Sequence, residues 1–355
     1  MKNTEVADDD DVTDDRAGAG SRIGPILRSR TALAVLFIAL GFGLWLLAGA
    51  PEVPAKQLLS LTVWGVMLGG VLALGSIGLT LVYGVLQFPN FSHGALITLG
   101  AYIAYAVIGL LPPGSELGPF SFGWEFLLAL FIAMPLVGVV ALAVDRLIYR
   151  RLRNQRAGLV LFAMASLGMA FFLRSCVYMI WGPDFHFYYQ GRSNPAMELP
   201  LGVRVQADQL FIVALAMALV VAVYLLLTKT RMGKAMRATA DNPELAQVRG
   251  INTEHVIALT WILSGALAAA AGVMYGLTSQ LRPEMGFWLL LPIFAGTIMG
   301  GIGNPFGALV GAMIIGIVTQ VTAAFISPAY GPAVAFILMV VTLVIRPQGL
   351  FGGSA

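Results

Sequence analysis

The sequence predicts an all-α polytopic integral membrane protein with about ten transmembrane helices, some of them interrupted. Two observations carry this reading. Of 355 residues, 58% are hydrophobic and only 11% charged, with a mean hydropathy of +0.85. Soluble domains carry about 25% charged residues, so this chain lacks the polar surface to cover a globule in water. Its apolar residues also gather in repeated runs close to the ~20 residues that cross a bilayer.

Residues 1–30 stand apart. The stretch "EVADDDDVTDDRAGAGSR" is acidic, rich in Gly and Ala, and offers almost nothing to bury, which predicts a disordered cytoplasmic extension. Arg22, Arg28 and Arg30 then precede an apolar run from Ala32 to Ala50. The long acidic lead and the following Pro51-Glu52 favour an uncleaved first span over a secretory signal. Nine further runs come after it: Leu58–Tyr83, Ala95–Leu111, Trp124–Val144, Leu159–Trp181, Leu210–Leu227, Val256–Thr278, Phe287–Met299, Phe306–Phe325 and Ala333–Ile345. The eighth run overall, Phe287–Met299, and the tenth are short, and Pro292 interrupts the eighth. If one or both are re-entrant, nine or eight full crossings remain. The membrane domain thus covers residues 31–346, with a cytoplasmic loop at 229–254 and a cytoplasmic tail at 347–355.

Positive charge sets the orientation. Arg146, Arg150, Arg151, Arg153 and Arg156 share one short loop; Lys229, Arg231, Lys234, Arg237 and Arg249 share another; Arg346 follows the last run. With ten crossings and a cytoplasmic N-terminus, all of these fall on the cytoplasmic side. The opposite side receives Lys56, Arg192, Arg204 and Arg282. Both termini are therefore expected in the cytoplasm.

Enzyme signatures are absent. His93, His186 and His255 are far apart and have no Cys or carboxylate at metal-ligand spacing. The phosphate-binding G-x-x-x-x-G-K-[ST] does not occur, so no ATP site is expected in this chain. Glu125, Asp145, Asp208, Glu254 and Glu284 lie at span ends or in loops, whereas a proton-coupled carrier usually needs a carboxylate inside the membrane. Arg174 lies within a span, where it either lines a polar path or, on its long stem, carries the charge outward towards Trp181. The lone Cys176 excludes an intrachain disulfide. Glycines four apart (Gly65/Gly69, Gly296/Gly300, Gly303/Gly307, Gly307/Gly311) suit close helix packing in lipid.

Two segments break the apolar pattern. Gln87 to Gly94, "QFPNFSHG", places a proline and several polar side chains between two runs, and "GGIGNPFGALVGA" from Gly300 resembles it loosely around Asn304. Broken backbone is tolerated only inside protein, beside a water-filled cavity, or outside the membrane, and paired interruptions point to a transporter's binding site. Two ordinary cytoplasmic turns are the alternative. In the loop at 229–254, Asn242-Pro243 and Gly250 bracket "ELAQVR", a short run of good helix formers suited to docking on a soluble partner or simply to a solvated basic loop.

At these places the chain resembles the permease subunits of branched-chain amino acid ABC importers, of the LivH type. The resemblance runs through "GLTLVYG" (Gly78 to Gly84, with Tyr83), Asn90-Phe91-Ser92-His93-Gly94 and Gly100-Ala101-Tyr102. Glu244-Leu245-Ala246-Gln247-Val248-Arg249-Gly250 is similar to the family's E-A-A-x-x-x-G coupling motif, with leucine for one alanine, and the tail "RPQGLFG" resembles the family's ending. The likeness covers roughly residues 58 to 352.

It implies a non-enzymatic transport subunit, multi-pass in a bacterial inner membrane, with ATP bound by separate cytoplasmic ABC ATPase subunits. It further implies a second, LivM-like permease and an extracytoplasmic substrate-binding protein, besides membrane lipid and without nucleic acid. Tyr83, Asn90, Ser92, His93, Gly94 and Asn304 are expected along the substrate path. Asn242, Pro243, Glu244, Leu245, Ala246 and Gly250 are expected at the ATPase. Urea, short amides or another small polar solute are the alternative cargo. A stand-alone carrier or channel is the alternative of a different class.

Overall fold

The computed structural model describes residues 54–112, 114–189, 196–199 and 203–352. The acidic extension and the first apolar run lie outside these residues. The described chain comprises helices α1 (Ala55–Leu86), α2 (His93–Leu110) and α3 (Trp124–Val144), then a π-helical turn (Asp145–Tyr149) leading into α4 (Arg150–Asn154). Next come α5 (Leu159–Trp181), α6 (Ala207–Lys229), α7 (Arg231–Asp241), α8 (Pro243–Val248) and α9 (Thr253–Thr278). The chain closes with α10 (Met285–Gly300), α11 (Pro305–Thr322) and α12 (Gly331–Ile345).

Each of the nine apolar runs that can be followed lies on its own helix. Eight helices among the described residues are long and apolar enough to cross a membrane. The ninth, α10, has 16 residues; at ~1.5 Å per residue it spans about 24 Å, short of the ~30 Å hydrocarbon core. Pro292 sits inside it, so the short interrupted run expected from sequence is present.

Burial ranks the helices by layer. The most apolar stretch of α1 is 89% buried and that of α9 72%, against 17–28% for α5, α6 and α12. A helix apolar on every side belongs at the centre of a bundle, and α1 and α9 form that centre, packed on one another, with α11 against α1 and with α2 and α3 against α9. Glycine makes the approach close. A Cβ on Gly65 would stand 2.6 Å from the Ile317 Cα, and one on Gly69 3.0 Å from the Met313 Cα, so α1 and α11 meet backbone to backbone. The α10–α11 hairpin is tighter, with Gly300 against the Gly307 carbonyl and Gly311 against the Gly296 carbonyl.

One element differs from the all-helical expectation. Met197–Leu199 and Val203–Val205 pair antiparallel, Glu198 opposite Arg204, in the connection between α5 and α6. Both triplets alternate apolar with charged residues, the period of a strand, but they are too short to signal one in sequence. The connection before α3 is pinned as well. The Asp208 carboxylate, in the first turn of α6, accepts the Ser121 N–H at 2.9 Å and the Ser121 hydroxyl at 2.5 Å.

Candidate substrate pathway and docking surface

The "QFPNFSHG" segment re-enters the bundle. Helix α1 stops after Leu86 because Gln87 adopts a left-handed conformation, φ 57°, with its N–H still bonded to the Tyr83 carbonyl at 2.8 Å. Pro89 then lacks the N–H needed to resume a helix. The chain folds back until the His93 ring donates from Nε2 to the Gly75 carbonyl at 2.9 Å. Gly75 precedes Leu86 by eleven residues, so α2 begins about 16 Å back along α1 at the helical rise.

The broken backbone is satisfied by protein, as burial demands. On α5, the Ser166 hydroxyl accepts the Phe91 N–H (3.2 Å) and shares its single hydrogen between the Ala163 carbonyl (2.8 Å) and the Pro89 carbonyl (3.3 Å). The Asn90 Oδ1 accepts the Ser92 N–H at 3.1 Å and the Ser92 hydroxyl at 2.6 Å, closing an Asx turn. Tyr149 completes the knot, its hydroxyl 3.3 Å from Ser92 Oγ and 3.5 Å from Asn90 Oδ1. Phe88 packs against Tyr149, Phe162 and Trp261, and Tyr149 stacks on Trp261 at 5.2 Å. Gly94 then meets α10 directly. A Cβ there would stand 2.6 Å from the Gly286 carbonyl oxygen, so only glycine permits this contact without a shift.

Asn90, Ser92 and His93 are fully buried, yet the region is under-satisfied. Asn90 Nδ2, His93 Nδ1, Trp261 Nε1 and Ser264 Oγ are buried without a hydrogen-bond partner. Since Nε2 of His93 must donate to a carbonyl, Nδ1 of the neutral ring is left an acceptor. An unsatisfied buried polar group costs about 1–3 kcal/mol, so these groups call for an explanation beyond packing.

Tyr83 and Asn304 lie beside a second junction. The Gly303 N–H donates to Thr80 Oγ1 at 2.9 Å, and a Cβ on Gly84 would stand 3.8 Å from the Gly303 Cα, so the second interruption packs against the last turns of α1, apart from the 87–94 segment. The Asn304 side chain is committed to capping α11, accepting the Phe306 and Gly307 N–H groups, and its Nδ2 donates to the Phe351 carbonyl at 3.2 Å. Asn90 and Asn304 therefore differ: one is a fully buried turn residue, the other a half-buried cap.

At the other end of α9, a cleft of about 670 Å³ opens between Tyr188, Tyr189, Tyr275, Met285 and Trp288, with Arg282 at its rim. Buried Tyr188 donates to the Ala101 carbonyl at 3.0 Å, and desolvation pushes its phenol well above the ordinary value of 10, keeping it a neutral donor. The cleft adjoins the Gly286–Gly94 contact through Met285. Between α5 and α10, the Arg174 guanidinium sits over the Phe171 ring at 4.9 Å and near Phe287 at 5.9 Å, cation–π contacts that hold the charge beside apolar surface.

The basic loop forms two helices. Thr230 caps α7 by accepting the Gly233 N–H, and Asn242 caps α8 by accepting the Leu245 N–H at 2.9 Å, with Pro243 in the first turn. Gly250 ends the motif at φ 82°, a conformation that glycine adopts without strain. Ala246 points inward, 4% exposed, while Leu245 and Val248 are 55% and 82% exposed among Glu244, Arg249 and Arg237.

The family profile described as "Branched-chain amino acid transport system / permease component" matches residues 61–343. The chain belongs to this permease family. It is 30% identical over 293 residues to the high-affinity branched-chain amino acid transport system permease protein LivH of Escherichia coli K12, covering 81% of this chain and 93% of that one. Pseudomonas aeruginosa BraD is 29% identical over 299 residues, covering 81% and 94%. The probable LivH of Methanocaldococcus jannaschii is 29% identical over 305 residues, covering 81% and 90%.

Within this permease the fold gathers Asn90, Ser92, His93 and Gly94 into one buried knot and keeps Tyr83 and Asn304 at a separate junction. Asn242 to Gly250 form a third, exposed feature. Sequence reasoning misses Ser166, Tyr149, Trp261 and Ser264. Ser166, Trp261 and Ser264 lie within long apolar helices and Tyr149 in the arginine-rich turn after Val144, so each is legible as a partner only once the re-entrant segment has been placed.

Proposed function

We propose that this chain is the membrane-spanning permease subunit of an ATP-binding cassette importer for branched-chain amino acids, working in a bacterial inner membrane with both termini cytoplasmic. The observation that carries the reading is the re-entrant 87–94 segment, an interrupted backbone held inside the bundle beside unpartnered polar groups. Asn90, Ser92, His93 and Gly94 form the closed part of the path. Neutral dipoles suit a zwitterion, which needs compensation at both ends and no fixed net charge. The aromatic cleft at the far end of α9 is the mouth that receives substrate from an extracytoplasmic binding protein, its rings matching an aliphatic side chain. Tyr83 and Asn304 flank the cytoplasmic exit.

Helix α8 carries the ATPase contact. Leu245 and Val248 would enter an apolar groove of a cytoplasmic ABC ATPase, Glu244 would meet its rim, and Asn242, Pro243, Ala246 and Gly250 hold the helix in shape. ATP is bound and hydrolysed on those partners, and a second, LivM-like permease completes the pathway. The test is uptake of labelled leucine, valine, urea and acetamide by cells carrying the complete system on a background lacking branched-chain uptake. Leucine and valine uptake that needs an intact ATPase supports the reading. Uptake of urea or acetamide alone reassigns the cargo, and ATPase-independent flux makes the chain a carrier or channel.

A further inference from the structure

The π-helical turn Asp145–Tyr149 interrupts what would otherwise be one 31-residue helix, Trp124–Asn154. Such turns place one extra residue in the helical ladder and occur frequently at functional sites. This one is fastened to the re-entrant segment and to the first turn of α9, which is itself tied to α8.

Its inner attachment is Tyr149. The side chain is fully buried, with its hydroxyl at Ser92 and Asn90 and its ring stacked on Trp261 at an interplanar angle of 5°. Its outer attachment is the next residue. Arg150 Nε lies 3.2 Å from Glu254 Oε2, in the first turn of α9. Across the turn, Arg153 donates to both oxygens of buried Asp145, at 2.5 and 3.1 Å, so α4 and the π turn move together.

The start of α9 is tied in turn to α8. Gln247 Nε2 donates to Thr253 Oγ1 at 2.9 Å, and the Ile251 N–H donates to the Ala246 carbonyl at 3.0 Å. A contiguous route therefore runs from α8 through Thr253 and Glu254 to Arg150, then Tyr149, then Asn90 and Ser92. Helix α9 holds the turn at two heights, by Glu254 on Arg150 and by Trp261 on Tyr149. A displacement of its end is thus felt at both.

We propose that Tyr149 is the positioning residue that transmits movement of α8 to the re-entrant segment, with the π turn as the two-state element. The inference rests on the reading of α8 as the ATPase contact. Relaxing a π turn to α geometry removes one residue from the turn and rotates the downstream helix by about 100° around the axis. That rotation would draw the Tyr149 hydroxyl from Asn90 Oδ1 and Ser92 Oγ and free the knot that closes the path. Coupling carried by such packed networks changes by about 0.5–2 kcal/mol on mutation, a factor of roughly 2 to 30.

The test uses the complete importer in proteoliposomes, with leucine uptake and ATP hydrolysis measured on the same preparation. Tyr149→Phe keeps the ring and its stacking on Trp261 and removes only the hydroxyl. Arg150→Gln acts at a half-exposed site (49% side-chain exposure) and leaves the core intact. Both should leave hydrolysis stimulated by loaded binding protein within about twofold of the unaltered complex, while leucine moved per ATP falls about fivefold or more. Uptake per ATP unchanged in both variants, or uptake and hydrolysis falling in the same proportion, would overturn the proposal. An unaltered complex in which loaded binding protein stimulates no hydrolysis would sink the reading of α8 itself, and this inference with it.

Discussion

At the scale of single residues, His93 shows how much one side chain is asked to do. It opens α2, reaches back to the Gly75 carbonyl from inside the bundle, and is left with an unpartnered Nδ1. Replacing it with leucine fills a similar volume and gives up one hydrogen bond, whose net worth is about 1 kcal/mol. The permease should therefore still assemble. Its transport should fall about tenfold, the equivalent of ~1.4 kcal/mol of barrier. Size-exclusion yield together with leucine uptake by His93→Leu checks this, and loss of the assembled complex would instead make His93 a packing residue. Asn90 is matched in sequence by Asn304, yet Asn304 spends its side chain on the α11 cap and on Phe351. Similar local sequence, an asparagine with Gly-Ala-Leu a few residues on, thus serves a buried turn in one place and a helix N-terminus in the other.

At the scale of elements, α8, the proposed docking helix, holds its shape while exposing two apolar side chains. Asn242 and Gly250 fix its ends, Ala246 anchors it, and Leu245 and Val248 remain outside. Gly250→Val would force a β-branched residue to φ 82°, a strained conformation costing on the order of 1–3 kcal/mol, and Leu245→Asp would place a charge where a groove is expected. Each should abolish co-purification of the ATPase subunits with the solubilised permease without lowering the yield of the permease itself. Undiminished binding would move the docking site elsewhere. This helix is legible in sequence because its signals are local: a cap, a proline and a glycine. The nine apolar runs are legible for the same reason. The re-entrant path of residues 87–94 is legible only as a break, because its depth depends on Ser166 and Tyr149, which are remote in sequence, and on how far the chain folds back along α1 to Gly75. The hairpin at 197–205 escapes because three-residue strands carry too little pattern.

At the scale of the whole molecule, a buried centre of α1 and α9 lies between an aromatic cleft and the basic helices. The aromatic cleft lies near one end of α9; α8 and the basic helix α7 lie near the other, and the re-entrant knot lies between. Glycine seams bring α1, α10 and α11 together at backbone distance, so a small displacement at one end cannot be absorbed by loose packing. Closely packed interfaces switch between arrangements and do not deform smoothly. In the proposed function, the knot at Asn90 and Ser92 is the closed part of the path and opens when the ATPase closes. Cys176 is the sole cysteine, so Cys176→Ala gives a clean background for Ser92→Cys, a near-isosteric change at a fully buried position. The measurement is maleimide labelling of that thiol in the complete complex, without nucleotide and with ATP trapped on a non-hydrolysing ATPase variant. Protection in the first state and labelling in the second is the expected result. A thiol that stays protected in both, or reacts equally in both, would contradict the claim.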